Sequence, residues 1–521
     1  MENGQQDDRI CPGNDLASKV GAGVGRDLRT KVFNKVVNFS DAEINKFSTA
    51  SLITRTTNDV QQVQMVTVML LRMVLYAPIM AVGGIIMVIR TGAGMGYIIA
   101  IAVVAIAVLM ILLMAFAMPK FKIMQKLVDK VNLVSREILT GIPVIRAFSR
   151  EKHEEKRFDD ANKELTGVML YTNRVMTFMM PALMIIMNVM SILIVWTSAH
   201  RIDAGVMEVG TMTAFITYTM MIVMAFLMLT MISIMLPRAG VAADRIDEVL
   251  KTEVSVNNST DAVDAGRSKG VVRFNHVSFA YPEAEGKVLD DIDFEASPGT
   301  TTAIIGSTGC GKSTLVNLIP RFFDVTEGSI TLDGRDIRNI TLESLRENIG
   351  YVPQKGILFS GTIADNIKYG QLVESDEDML EAAEIAQATE FIEAKPDKYE
   401  SQVAQGGNNV SGGQKQRLSI ARAIARDPMI YIFDDSFSAL DFKTDAALRK
   451  ALAPKVKDKT VLIVAQRIST VMHAEQIIVL DDGKVAGIGT HKELMENCEI
   501  YRQIAGSQLS ESELKKSLEV K

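Results

Sequence analysis

TTAIIGSTGCGKSTLVNLIPRFF, residues 301–323, decides the fold. A short apolar strand ends at Gly306, the loop GSTGCGKST follows over 306–314, and LVNLIPRFF reads as the continuation of a helix. Strand, Gly-rich loop and helix in that order form a P-loop, because backbone N–H groups at a helix start attract phosphate oxygens. The amides of Gly309, Gly311 and Lys312 are expected to wrap the phosphates, Lys312 to reach the β- and γ-oxygens, and Ser313 to ligate Mg²⁺. Gly306, Ser307, Thr308, Cys310 and Thr314 complete the predicted ATP-binding loop, with Cys310 read as a tolerated small side chain. From Val271 onward the chain reads as a soluble α/β domain built around this loop.

Three later stretches extend the phosphate chemistry. In MIYIFDDSFSALD, 429–441, an apolar strand ends at the paired aspartates Asp434 and Asp435. In VLIVAQRIST, 461–470, a second apolar strand ends just before Gln466. NVSGGQKQRLSIARAIAR, 409–426, places Ser411 as an N-cap, and Gly412 and Gly413 leave amides exposed at the positive end of a helix. One domain has no use for two γ-phosphate sites. Ser411, Gly412, Gly413 and Gln414 are therefore expected to complete an ATP site on a partner domain.

Upstream the chain is a different material. Met73–Ile89, Thr91–Pro119, Val175–His200 and Val209–Pro237 carry no charge, and about 20 apolar residues suffice to cross a hydrocarbon core. All four read as membrane helices, with Arg72 close enough to one end to snorkel. Lys120–Lys163 carries eleven Lys and Arg, whereas Thr91–Met95 and Ala199–Met207 share only Arg201. The long loop is thus expected to be cytoplasmic, which brings both termini to the cytoplasmic side of the cell membrane. A break near Ser40, a bend at Gly141–Pro143 and a polar linker at 251–270 punctuate the pattern. The expected division is a polar N-terminus over 1–15, a transmembrane domain over 16–250, a nucleotide-binding domain over 271–506 and a charged tail over 507–521.

A formal net charge of -6 gives no support for nucleic-acid binding. Cys11, Cys310 and Cys498 are expected to be free thiols. The spans offer Asn188, Thr213, Thr217 and Tyr218 among apolar residues, and 25 of the 30 methionines lie between Met65 and Met235. That composition lacks a buried proton relay and suits hydrophobic or amphipathic cargo.

Together these motifs resemble an ATP-binding-cassette exporter subunit over about residues 16–506, a helical membrane domain followed by an α/β P-loop cassette. The resemblance implies that Tyr281 in VSFAYP stacks on adenine, that Gln354 in YVPQ links Mg²⁺ to the membrane domain, that Asp434 holds Mg²⁺ through water, and that Ser438–Asp441 signals across a cassette dimer. In that family a Glu after the strand-ending aspartate polarises the attacking water and a switch-loop His contacts the γ-phosphate. Asp435 and Gln466 stand at those positions. With SGGQ intact, the pattern resembles heterodimeric bacterial multidrug exporters, and it implies a partner subunit carrying Glu and His; a slow homodimer is the other reading. The family carries six spans per subunit where four are counted. Residues 16–60 resemble the cytoplasmic continuation of the second span, so the first two are expected to be absent and 1–15 to have no counterpart. A truncated, non-transporting or regulatory ATP-binding subunit is the alternative function.

Overall fold

The computed structural model describes residues 12–90, 94–282, 284–510, 513–514 and 517. They form two compact units, one of 1–33 with 53–250, the other of 34–52 with 251–521. The expected polar stretch 1–15 lies mostly outside the described residues, and Cys11 lies wholly outside them.

The first unit is helical: most of α1 (Pro12–Val37), then α4 (Val60–Arg90), α5 (Gly96–Ala147), α6 (Glu151–Thr177), α7 (Met179–Asp203) and α8 (Val209–Lys251), with a π-turn at Arg55–Asp59 before α4 and the short α3 (Thr49–Thr54) straddling the boundary between the units. The short α2 (Asp41–Phe47) falls in the second unit. Among the described residues four helical runs are long and apolar enough to span a membrane: Thr49–Arg90, Gly96–Ala147, Glu151–Asp203 and Val209–Met228. Val88, Ile98, Met190, Ile194, Phe215 and Ile222 pack a core among α4, α5, α7 and α8. Their outward neighbours are equally apolar: Ile89, Ile111, Ile192 and Trp196 are each about two-thirds exposed or more. A surface of that kind needs hydrocarbon as its solvent.

Two polar features punctuate it. Arg72 donates to the Ser18 hydroxyl on α1 at 2.7 Å. Arg55, almost wholly buried, donates to the Arg245 carbonyl at 2.6 Å and the Glu248 carboxylate at 2.7 Å, which fastens the π-turn to the end of α8.

The second unit contains a six-stranded sheet in the order β12-β11-β3-β10-β9-β6. Its strands are β3 (Thr301–Gly306), β6 (Ile349–Val352), β9 (Ile430–Asp434), β10 (Thr460–Val464), β11 (Gln476–Asp481) and β12 (Lys484–Gly489). A four-stranded sheet, β2-β1-β4-β5, joins β1 (Val272–Phe279), β2 (Leu289–Ala296), β4 (Glu327–Leu332) and β5 (Arg335–Asp336). The small pair β7 (Gly361–Thr362) and β8 (Gln402–Val403) completes the strands. The helices are α9 (Lys312–Asn317), α10 (Leu342–Glu347), α11 (Ile363–Lys368), α12 (Asp376–Ile385), α13 (Thr389–Glu393), α14 (Gly412–Ala425), α15 (Phe442–Leu452), α16 (Ile468–Val471), α17 (His491–Asn497) and α18 (Glu499–Gln508). β3, β9 and β10 are buried along nearly their whole length, as apolar runs flanked on both faces must be.

The structure departs from the sequence reading in four places. α5 runs through Gly141–Pro143 to Ala147, and the chain reverses only at Phe148–Arg150, where Ser149 takes φ +52°. Pro143 removes one intrahelical hydrogen bond, which a 52-residue helix tolerates. α9 stops at Asn317 instead of continuing through LVNLIPRFF: Leu318 and Ile319 bond three residues back in tighter turns, and Pro320 has no N–H to carry the helix on. Residues 251–270 are not a free linker. Ser255 N–H donates to Glu43, the Asn258 side chain accepts from Leu342 N–H, Ala265 N–H donates to Ser344, and Val263 bridges Ile340. Finally, 34–52 joins the second unit: Glu43, buried on α2, also takes the Ser40 N–H, and the Ser40 and Ser255 hydroxyls meet at 2.7 Å.

At Gly21 α1 approaches α4 closely, since a Cβ there would stand 2.2 Å from Val68 Cγ2. Gly21→Leu is expected to destabilise the detergent-solubilised chain by about 1–3 kcal/mol through overpacking. Thermal unfolding beside the wild type measures this, and Gly23→Leu, whose Cβ meets nothing within 4 Å, serves as the tolerant control.

Candidate functional site

Val464 of β10 lies opposite Ile304 of β3 on one side and Asp434 of β9 on the other, all parallel. The next residues of all three strands therefore leave the sheet along one edge: the P-loop from β3, Asp434–Asp435 from β9 and Gln466 from β10. Parallel α/β sheets bind ligands at this edge. Asp435 N–H donates to the Val464 carbonyl at 3.0 Å and Ala465 N–H to the Ile304 carbonyl at 3.0 Å, so the ladder continues one step beyond the strands.

The loop Gly306, Ser307, Thr308, Gly309, Cys310, Gly311 curls around its own lysine. Lys312 Nζ donates to the Gly306 carbonyl at 2.9 Å and the Ser307 carbonyl at 2.6 Å. Gly311 turns at φ +96°, and a Cβ there would come 2.8 Å from Leu289 Cδ2, so this position requires glycine. Cys310 is buried beside Lys312, and Cys310 and Cys498 are both free thiols. Ser313 donates to Asp434 Oδ1 at 2.9 Å, and the Thr314 and Tyr281 hydroxyls share a hydrogen bond at 2.9 Å. Tyr281 meets Phe279 and Phe323 edge to face. Beside it opens a cavity of about 650 Å³ walled by Tyr281, Pro282 and Phe323 and by Glu43, Asn45 and Lys46 of α2. An aromatic wall with a polar rim suits a nucleobase.

Asp435 gathers the second group of predicted residues. Its Oδ2 accepts from Gln466 Nε2 at 2.7 Å and from Gln354 Nε2 at 3.3 Å. The backbone of Asp435 is left-handed, φ +46°, a region in which Asp is enriched over longer side chains. Both aspartates are nearly buried. Burial pushes the Asp434 carboxyl above the usual carboxylate range and the neighbouring Asp435 charge adds to the rise, opposed by Ser313 and Lys312. Burial likewise raises Asp435, against hydrogen bonds from Gln354, Ser438 and Gln466 and the charge of Lys312.

No group of three or more His, Cys, Asp or Glu that could hold a metal exists among the described residues. Ser313 and Asp434, with Gln354 bonded to Asp435 beside them, are the kind of sparse oxygen set that Mg²⁺ uses when phosphate oxygens and water complete its shell.

Ser411–Gln414 stand apart from this cluster. Ser411 caps α14 in a reciprocal box: Gln414 N–H donates to the Ser411 hydroxyl and Ser411 N–H to Gln414 Oε1. Among the described residues no hydrogen bond joins Ser411–Gln414 to the P-loop or to Asp435. Gly413 instead neighbours Ala439, where a Cβ would lie 3.4 Å from the carbonyl. Ser438 donates to the Asp435 carbonyl at 2.8 Å, and Asp441 caps α15 through Thr444.

Two features escaped the sequence reading. Arg467 lies 5.3 Å over the Phe442 ring, and Gln508 of α18 bonds the backbone on both sides of Arg467. Neither pair has a local sequence signal, because the partners are 25 and 42 residues apart.

Residues 13–226 match the family model for the ABC transporter transmembrane region, and 289–438 match that for the ABC transporter. An uncharacterised ABC transporter ATP-binding protein of Mycobacterium tuberculosis (strain H37Rv) is 44% identical over 502 residues, 95% of this chain and 85% of that protein. A Bacillus subtilis relative, YgaD, whose name assigns it provisionally to multidrug export as an ATP-binding/permease protein, is 37% identical over 71% of this chain and 63% of its own length. The structure of a bacterial Atm1-family ABC exporter with ATP bound matches with TM-score 0.78 and 26% identity, over 96% of this chain and 87% of that one.

An acid whose pKa rises on folding is held protonated by the fold, so its cost is absent at low pH, grows above about pH 4 and is complete above the raised value. Asp434→Asn removes that cost. In the nucleotide-free chain it is expected to raise the melting temperature by roughly 1–3 °C at pH 7 and by nothing near pH 3, while abolishing Mg²⁺-dependent ATP binding. Differential scanning fluorimetry across pH, with and without Mg²⁺ and ATP, measures both effects.

Proposed function

The chain belongs to the ABC transporter family as an exporter-type subunit with fused membrane and nucleotide-binding domains, and we propose that it is the hydrolysis-impaired half of a heterodimeric exporter. The observation that carries this reading is the hydrogen bond from Gln466 to Asp435. At the two positions where the family uses a glutamate and a histidine, the chain holds a shorter carboxylate and an amide, and the amide hydrogen points at the carboxylate.

The residues divide the work as follows. The P-loop amides and Lys312 bind and orient the phosphates of ATP, Tyr281 and the cavity beside it receive the base, and Ser313, Asp434 and Gln354 hold the Mg²⁺ position. When bound, Mg²⁺ neutralises charge on the β- and γ-oxygens. Asp435 is one methylene shorter than the family's glutamate, and a misplacement of about 1 Å can cost on the order of 10²-fold in rate. Its Oδ2 is held in place by the Gln466 and Gln354 amides, so the shorter carboxylate cannot swing toward the water a glutamate would reach. Gln466 donates a hydrogen bond but cannot become a cation. Binding is kept and proton removal is weakened. Ser411–Gln414, capped within their own helix start, would serve the ATP site of the partner subunit.

Hydrophobic or amphipathic compounds are the proposed cargo. The span hydroxyls of Thr213 and Thr217 donate to the carbonyls four residues back, at 3.1 and 3.0 Å. They are satisfied within their own helix and ask no polar partner of a ligand.

Asp435→Glu with Gln466→His is expected to raise the ATPase rate of the full chain at least roughly tenfold at saturating ATP, with ATP affinity unchanged. Asp435→Glu alone is expected to gain less, because Glu is less at ease at φ +46°. Steady-state phosphate release on the purified chain, alone and with a co-purified subunit, checks this. Hydrolysis by the unaltered chain alone as fast as the paired complex would overturn the heterodimer reading.

A further inference from the structure

The switch residue Gln466 is not held by its own loop alone. Gln508, the last residue of α18, donates from Nε2 to the Gln466 carbonyl at 2.7 Å and accepts at Oε1 from the Ile468 N–H at 2.8 Å. One planar amide thus grips the backbone on either side of Arg467, as a neighbouring strand would. Ile468 opens α16, and its N–H is one of the donors that a helix start leaves without an intrahelical acceptor.

The gripping helix is itself anchored. Tyr501 and Ala505 are fully buried in the core that also contains Ile468 and Val471, and Ile500, Ile504 and Leu509 pack on its border. α18 therefore gives Gln508 a rigid base. From the same residue whose carbonyl is held, the Gln466 side chain reaches Asp435 Oδ2 at 2.7 Å. Fixing the peptide fixes the direction in which the amide can point.

We infer that Gln508 is a positioning residue for the nucleotide site: through the backbone of Gln466 and Ile468 it aims the Gln466 side chain at Asp435. This deepens the proposed function and rests on reading Gln466 as the switch residue. Among the described residues the Gln508 side chain bonds the backbone of the switch segment and no residue assigned to the phosphates or Mg²⁺, so its effect is routed through Gln466.

Single-turnover hydrolysis of radiolabelled ATP by the full-length chain, with melting temperature and ATP affinity measured on the same preparations, tests this. Gln466→Ala is expected to change the rate constant. Gln508→Ala is expected to lower it roughly threefold to tenfold, the worth of about one or two hydrogen bonds, with ATP affinity within about twofold. Gln508→Glu keeps the acceptor for Ile468 and loses the donor to Gln466, and should fall with the alanine variant. In the Gln466→Ala background Gln508→Ala should have no further effect. If Gln466→Ala slows turnover while Gln508→Ala does not, or if the two effects multiply, the positioning role is wrong and the reading of Gln466 stands. If Gln466→Ala turns over like the wild type, the reading of Gln466 falls and the positioning role falls with it.

Discussion

Val464 sits between Ile304 and Asp434 in parallel register, and the chemistry of the chain depends on that arrangement. Parallel strands point the same way, so the P-loop, the two aspartates and Gln466 reach one edge although the P-loop lies more than 100 residues before the others. A one-residue slip of β10 would turn its side chains to the opposite face. The continued ladder, Asp435 to Val464 and Ala465 to Ile304, removes that freedom. Burial on both faces of β3, β9 and β10 makes the register costly to change.

The membrane unit obeys a different constraint. Along its spans core and surface are both apolar, so packing among these helices is driven by fit more than by escape from water. The few polar groups with strong side chains are placed with partners, Arg72 with Ser18 and Arg55 with Glu248 and the Arg245 carbonyl. Thr213 and Thr217 find theirs along their own helix.

What was legible in the sequence was local. The P-loop, the apolar strand before Asp434, the cap at Ser411 and the four uncharged runs each announce themselves within about 25 residues, and each takes the expected form. What was not legible depends on distant partners or on tolerance. Pro143 reads as a helix breaker because its missing donor is visible and the support from the rest of α5 is not. Residues 251–270 read as linker because their polar side chains match a loop composition, yet those same groups bond Glu43, Leu342 and Ser344. The left-handed backbone of Asp435 and the grip of Gln508 have no sequence signature at all.

The helix α2 leaves the ribosome long before the unit it belongs to. Residues 53–250, 198 in all, separate Asn34–Leu52 from Lys251, and at about 5–20 residues per second they take roughly 10–40 s to synthesise. During that interval Glu43 has no Ser255 to bond, and the spans of α4 to α8 are being made. Order of synthesis and order of assembly are therefore uncoupled. A gene fragment cut at the end of α8 encodes the cassette strands and the P-loop but omits one structural piece of the cassette unit, so the chain's modules do not coincide with any single cut in its sequence.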